Sequence, residues 1–174
     1  MVDRSPDLGW RHLVEALILR VQRELHVALE GRAASSLDRA QVVDLNPPGW
    51  LAWHLTRSYD RNVSEIAEQE QRWTECGWHA RFGRPADPGD TGFGHSNHDV
   101  ALFRTPSAEV TLAYHDDVVT MVLAWLETAP DGDLSRIATS PTLGNNASVL
   151  DRLVGILNEA LQHLGQINLT LGMR

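Results

Sequence analysis

Four stretches of about twenty residues place apolar side chains at alternating steps of three and four, and that period commits the chain to helices rather than strands. The first runs roughly from Leu8 to Leu29, with Val14, Ile18, Val21, Leu25 and Ala28 on one side. The second follows Pro47-Pro48-Gly49 and runs roughly from Trp50 to Trp73. Leu51, Leu55, Tyr59 and Ile66 form its apolar stripe, and Arg57, Asp60, Arg61, Glu65 and Glu68 are expected on a solvated face. The third, about Ser107 to Thr128, is bracketed by Pro106 and Pro130 and carries Val110, Tyr114, Val118, Met121 and Trp125. The fourth begins near Asn146 to Ser148 and reaches about Leu171, with Leu150, Leu153, Leu157, Leu161 and Leu164. No stretch reads as a sheet. Within 174 residues, these segments predict an all-α, up-down four-helix bundle forming a single domain over residues 1–174.

The predicted connections are uneven. Gly31 to Gly49 and Asp131 to Asn145 read as polar linkers. Cys76 to Pro106, between the second and third helices, is the longest and is rich in Gly, Pro and Asp. Loops of that length inside a compact domain are uncommon and often functional.

Charge and cysteine content narrow the partners. The formal net charge is −8, and phosphate backbones draw on clustered Lys and Arg, so nucleic acid is not an expected partner. Cys76 is the only cysteine, which rules out an intrachain disulfide and gives no sign of an oxidising compartment. No apolar run approaches the length of a membrane span, and Met1 to Trp10 lacks the pattern of a signal peptide. A cytoplasmic protein without a membrane partner is expected. Six tryptophans exceed what a small core readily hides, which predicts a homodimer.

The eight histidines are not equivalent. His163 follows Glu159 by four residues, so on a helix the two side chains share a face, about 40° apart. Ile156, Ala160 and Ile167 fall on the same side, which points that face inward. Two such groups are costly to bury unless something satisfies them, and a divalent metal would do so. His54, beside Leu51 and Leu55 on the second helix, is the best third ligand. The same spacing also describes a solvated Glu–His pair, and a histidine beside an apolar stripe is often an ordinary boundary residue. His95 and His98, with His79 before them, form a second cluster in the long loop, where the glycines promise no fixed scaffold. His115 falls on the third helix, followed by Asp116 and Asp117, which could orient an imidazole but are expected to face solvent. His12 and His26 read as surface or boundary residues of the first helix. Dinucleotide, Walker, G-x-S-x-G and H-E-x-x-H signatures are all missing. Cys76, with no paired cysteine or histidine in view, is not expected to act as a nucleophile.

Trp50-Leu51-Ala52-Trp53-His54-Leu55-Thr56-Arg57 resembles the W-x-x-x-H-L start of the second helix in the DinB-like superfamily. Glu159-Ala160-Leu161-Gln162-His163-Leu164-Gly165-Gln166-Ile167 resembles that superfamily's closing motif, a His followed by x-Gly-Gln. Between them, Glu70-Gln71-Arg72-Trp73, Gly77-Trp78-His79-Ala80-Arg81-Phe82-Gly83 and Thr91-Gly92-Phe93-Gly94-His95 look like a branch rich in actinobacterial sequences. The order of these motifs carries the resemblance from about residue 8 to residue 172.

The resemblance implies a metal site made of His54 with an H-x-x-x-H pair, of which His163 is the last member. Glu159 replaces the first His, as in the ligand set of mycothiol-dependent maleylpyruvate isomerase. A His₂Glu set suits zinc first, with nickel or iron as alternatives, and leaves positions open for water or substrate. The implied activity is a metal-dependent S-transferase or isomerase using a low-molecular-weight thiol. All 15 basic residues are Arg, as a GC-rich genome favours, and in high-GC actinobacteria that thiol is typically mycothiol. Arg81, Phe82 and Arg84 are the expected selectors of the electrophile. The isomerase carries a further carboxyl-terminal domain, and this sequence ends at Arg174, so transfer to another electrophile is the expectation. A small-ligand-binding or stress-response protein and a metal-dependent hydrolase use the same scaffold and remain open.

Overall fold

The computed structural model describes residues 9–40 and 45–172. Four long helices dominate it: α1 (Trp10–Leu29), α3 (Pro48–Ala67), α7 (Ala108–Thr128) and α8 (Val149–Gly172). Between them lie the short helices α2 (Ala34–Leu37), α4 (Arg72–Glu75), α5 (Trp78–Arg81) and α6 (Asn97–Leu102). Each long helix packs on two others: α3 against α7 and α8, and α1 against the same pair. The expected stripes of the first three helices meet at the centre, where Ile18, Val21, Leu25, Leu51, Leu55, Tyr59 and Val118 are buried. Helix α8 turns Leu153, Leu164 and Ile167 inward and leaves Leu150 and Leu161 of its expected stripe exposed. The expected start of the first helix at Leu8 lies outside the described residues.

The second helix stops earlier than its periodicity predicts. Glu68 adopts φ +54, and the Gln69 N–H bonds back to the Ser64 carbonyl at 2.9 Å. That left-handed residue closes α3, and Trp73 belongs to the separate turn α4.

The linker after α7 adds a small hairpin to the expected helical fold. Ile137–Ser140 (β1) and Asn145–Ser148 (β2) pair antiparallel, with Ala138 opposite Ala147. Arg152 donates to the Ala138 carbonyl at 3.1 Å and Thr142 to Glu65 Oε1 at 2.6 Å, fastening this hairpin to α8 and α3. The protein is mostly helical, with one small two-stranded sheet among the described residues.

The expected wet face of α3 is buried. Arg57 and Asp60 are wholly inaccessible and Arg61 is 7% exposed; of that face, Glu68 reaches solvent. The long loop, α4 and α7 cover it. Arg57 donates through Nε to the Asp90 carbonyl and through Nη2 to the Pro88 carbonyl, each at 3.0 Å. Asp60 accepts from the backbone N–H groups of Arg72 and Trp73 at 2.8 Å and from Tyr114 Oη at 2.7 Å. Buried charge is tolerable because each group meets several partners. The segment from Cys76 to Pro106 is thus a fixed layer over α3.

The tryptophans are accommodated within one chain. Trp50, Trp53, Trp73, Trp78 and Trp125 are buried, and Trp10 packs on Trp125 at 6.1 Å between ring centres. Surplus aromatic surface is therefore no argument for a dimer.

Candidate metal centre

His54 lies in the second turn of α3, and Glu159 and His163 lie one turn apart on α8. The two helices run antiparallel: His54 meets Glu159 near one end, and Asn62 meets Arg152 near the other. One ligand-type atom from each of His54, Glu159 and His163 falls within 4.8 Å of the other two. His54 Nε2 is 2.8 Å from Glu159 Oε1, and His163 Nε2 is 3.7 Å from the same oxygen. Among the described residues this is the one cluster of His, Cys, Asp and Glu with such geometry.

Each of the three is held from behind. The Thr91 carbonyl faces His54 Nδ1 at 2.5 Å, Gln166 Oε1 faces His163 Nδ1 at 3.0 Å, and Ser58 donates to Glu159 Oε2 at 2.5 Å. A carbonyl can only accept, so His54 carries a proton on Nδ1, and its Nε2 is the nitrogen aimed at the cluster. Outer partners of this kind are what orient imidazole and carboxylate ligands around metals.

That arrangement tests whether a cation fits. His54 is 7% exposed and has an acceptor oxygen at each ring nitrogen. Such a ring is either an imidazolium or the ligand of a cation placed between Nε2 and the carboxylate. Burial disfavours ionised Glu159, but His163, His54 and Ser58 outweigh it and hold the carboxyl well below the usual carboxylate range. Burial likewise opposes a charge on His163, yet Glu159 and Gln166 raise its pKa. The cluster favours positive charge, and two imidazoles with one carboxylate form a donor set that zinc-like ions accept. The residues fit a divalent metal.

Trp50 stacks on the His54 ring at 4.7 Å, and Gly92 lies against both. A β-carbon at Gly92 would sit 2.8 Å from His54 Nδ1 and 2.9 Å from Trp50 Cζ2. Gly92 has φ +88, which L side chains rarely adopt. The long loop thus delivers the Thr91 carbonyl to His54 because residue 92 has no side chain.

The cluster borders a cavity of about 520 Å³ whose walls include Ser58, Arg61, Phe93, Leu143, Arg152 and Ile156. Arg81, Phe82 and Arg84 are not in those walls, contrary to expectation. Arg81 lies over Trp78, Phe82 is buried against Trp73 and Tyr114, and Arg84 pairs with Asp90 at 2.7 Å.

The remaining histidines are dispersed. His95 is fixed between Trp50 and Trp53, with Asp90 3.5 Å from its Nε2, so the loop does provide a scaffold, but His98 is exposed elsewhere. His115 is buried and hydrogen-bonds Thr56 Oγ1 at 2.9 Å. Asp116 and Asp117 also have protein partners: the first pairs with His26 and the second with Arg72. Ser58, Thr91 and Gln166 had no role assigned from the sequence, although Thr91 opens the Thr91-Gly92-Phe93-Gly94-His95 motif and Gln166 closes the x-Gly-Gln motif. Ser58 is one turn after His54 and Gln166 three residues after His163, so helical spacing could have found both. A backbone carbonyl leaves no such signal.

A mostly helical chain carrying an inward His₂Glu cluster is the class that fold and site define. The chain belongs to the DinB superfamily, whose sequence pattern matches residues 17–167. It is similar to a conserved protein from Enterococcus faecalis of known crystal structure, with a TM-score of 0.80 at 19% identity. That match covers 94% of this chain and 98% of the other, and at this identity it establishes the fold alone. No curated protein matches the chain.

Proposed function

We propose that the protein is a metal-dependent S-transferase that uses a low-molecular-weight thiol, mycothiol first, with His54, Glu159 and His163 as the metal ligands. The observation that carries this reading is His54 with an oxygen at each ring nitrogen, its Nε2 and that of His163 converging on one Glu159 oxygen. The pairing of α1, α3, α7 and α8 supports the up-down four-helix bundle as one domain built around this site.

The chain's own residues supply binding and orientation. Protons on Nδ1 of both histidines, held by Thr91 and Gln166, leave the Nε2 lone pairs for the ion. Ser58 fixes Glu159 Oε2, so that Oε1 is the ligand oxygen. A bound divalent ion, zinc before nickel or iron, supplies the lowering of thiol pKa that makes the thiolate available at neutral pH. The thiol proton passes to solvent, a carbon–sulfur bond forms, and the electrophile's leaving group departs with the electron pair. Phe93, Leu143 and Ile156 give the electrophile an apolar wall.

The expected setting is cytoplasmic, and no described helix is long and apolar enough to cross a membrane. A homodimer remains part of the proposal on a different basis from the tryptophans. Leu150, Val154 and Leu161 form an exposed stripe on the outer face of α8, suited to a second copy and open to test by light scattering.

A thiol screen tests the activity. Metal-loaded protein should consume a generic electrophile such as monochlorobimane only when mycothiol or another small thiol is present, and chelation should stop it. Consumption of ester or amide substrates without thiol would favour the hydrolase, and metal binding without either reaction would favour a ligand-binding role.

A further inference from the structure

The cavity beside the His₂Glu cluster contains two arginines, and their surroundings differ. Arg152 donates to Asn62 Oδ1 at 3.3 Å, the Ala138 carbonyl at 3.1 Å and Asn145 Oδ1 at 3.4 Å. It also lies 3.6 Å from Glu65 Oε2. Those contacts join α8 to α3 and the hairpin, so both terminal nitrogens of Arg152 are occupied by the fold, although its Nε is buried without a partner. Arg61 is 7% exposed, yet among the described residues its one hydrogen bond goes from Nη1 to Thr91 Oγ1 at 3.2 Å. Its Nε is buried without a partner, and none of the ion pairs formed by the described residues includes it.

A guanidinium has five N–H donors, and leaving them unmet away from water is costly. Burial lowers the pKa of Arg61; Glu65 and Glu159 oppose that, while Arg57 and Arg152 add to it. The charge of Glu159 is directed at the two histidines, and Glu65 faces Arg152 and Thr142. Asp151, also in the cavity wall, is held by Ser148 at 2.6 Å. Glu65 and Glu159 act on Arg61 through space, but among the described residues no carboxylate lies within ion-pair distance of it. Thr91 takes Arg61 on its hydroxyl and His54 on its carbonyl, so this guanidinium, with most of its donors unmet, stands beside the cluster rather than at a remote rim.

We propose that Arg61 binds a carboxylate of the electrophilic substrate, held in the cavity with its apolar body against Phe93, Leu143 and Ile156. This rests on the proposed transferase reading for the word electrophile. The binding itself depends on Arg61 and the cavity alone. A planar fork matches a carboxylate with two parallel hydrogen bonds, and a single free guanidinium balances one negative charge. A thiol bearing carboxylates, such as glutathione, offers the same chemistry and must be distinguished.

Calorimetric titration of the full chain, stripped of metal and with no reducing thiol present, tests this without turnover. Benzoate and benzamide have the same shape and differ in charge. Benzoate should bind the wild type at least about tenfold more tightly than benzamide, a difference of about 1.4 kcal/mol. R61Q should abolish that preference, and R61K should keep part of it. The wild-type comparison stands even if R61Q is poorly folded by its helical circular dichroism. Equal binding of the two probes, or a benzoate preference unchanged in a folded R61Q, would overturn the carboxylate site. Inorganic phosphate binding more tightly than benzoate through Arg61 would overturn the choice of anion. Glutathione displacing benzoate would assign the anion to the thiol instead of the electrophile. Loss of thiol chemistry in the screen above leaves these outcomes untouched, so the two readings fail separately.

Discussion

His54 Nδ1 faces the backbone carbonyl of Thr91 at 2.5 Å, across 37 residues of chain. The contact joins the metal-type cluster on α3 and α8 to the long loop, and Gly92 makes the approach possible. Gly92→Ala should push the Thr91 carbonyl off His54. Outer partners of metal-bound histidines are commonly worth tenfold to a hundredfold in affinity, so zinc affinity should fall by about that factor. Competition with a chromophoric chelator reads the change. Unaltered affinity would show that the loop does not orient His54.

Asp60 ties the other side of α3 to α4 and α7, through the Arg72 and Trp73 amides and Tyr114, and pairs with Arg57. Asp60→Ala leaves the wholly buried Arg57 without its carboxylate, a loss of about 3–5 kcal/mol in unfolding free energy. Denaturant unfolding should show that loss, whereas a change under about 1 kcal/mol, the range of a surface ion pair, would place Asp60 outside the stabilising network.

The helical core and the Glu159–His163 pair were legible because helical spacing fixes which side chains share a face; His54, on another helix, came in through its place beside Leu51 and Leu55 and through the resemblance of its motif. Val14, Ile18 and Val21, or Glu159 and His163, need no partner for that inference. The polar residues of α3 misled for the same reason. Arg57, Asp60 and Arg61 have the spacing of a solvated face, and only the long loop, α4 and α7 packing over them make it an interior. Arg61, seven residues after His54, shares its side of α3, but burial rather than spacing gives it significance. The hairpin was illegible because Ile137–Ser140 and Asn145–Ser148 carry little apolar alternation; contacts from Arg152 and Thr142 hold it in place.

His115 gives the stability a pH dependence of known sign. Thr56 donates its hydroxyl hydrogen to the Ala52 carbonyl, so it accepts from His115 Nδ1, and Nε2 is left bare in the interior. Burial brings the His115 pKa down to about 4 from its ordinary value near 6.5. Between those values the unfolded chain binds the proton and the folded chain does not, so stability falls as pH drops. From pH 7 to pH 5 the wild type should lose about 2 kcal/mol more than His115→Gln, read from denaturant midpoints. Equal losses would mean that His115 is accessible to protons in the folded state.

Cobalt substitution tests most directly whether His54, Glu159 and His163 hold an ion that accepts a thiol. The protein should bind about one cobalt per chain, with positions left for other ligands. Mycothiol should then produce a sulfur-to-metal charge-transfer band, retained in Cys76→Ser, which removes the chain's own thiol. His95→Ala should keep both the ion and the band, and Glu159→Ala and His163→Ala should lose the ion and with it the band. A wild type that keeps its cobalt while mycothiol, glutathione and simple thiols all fail to produce the band would contradict the transferase reading.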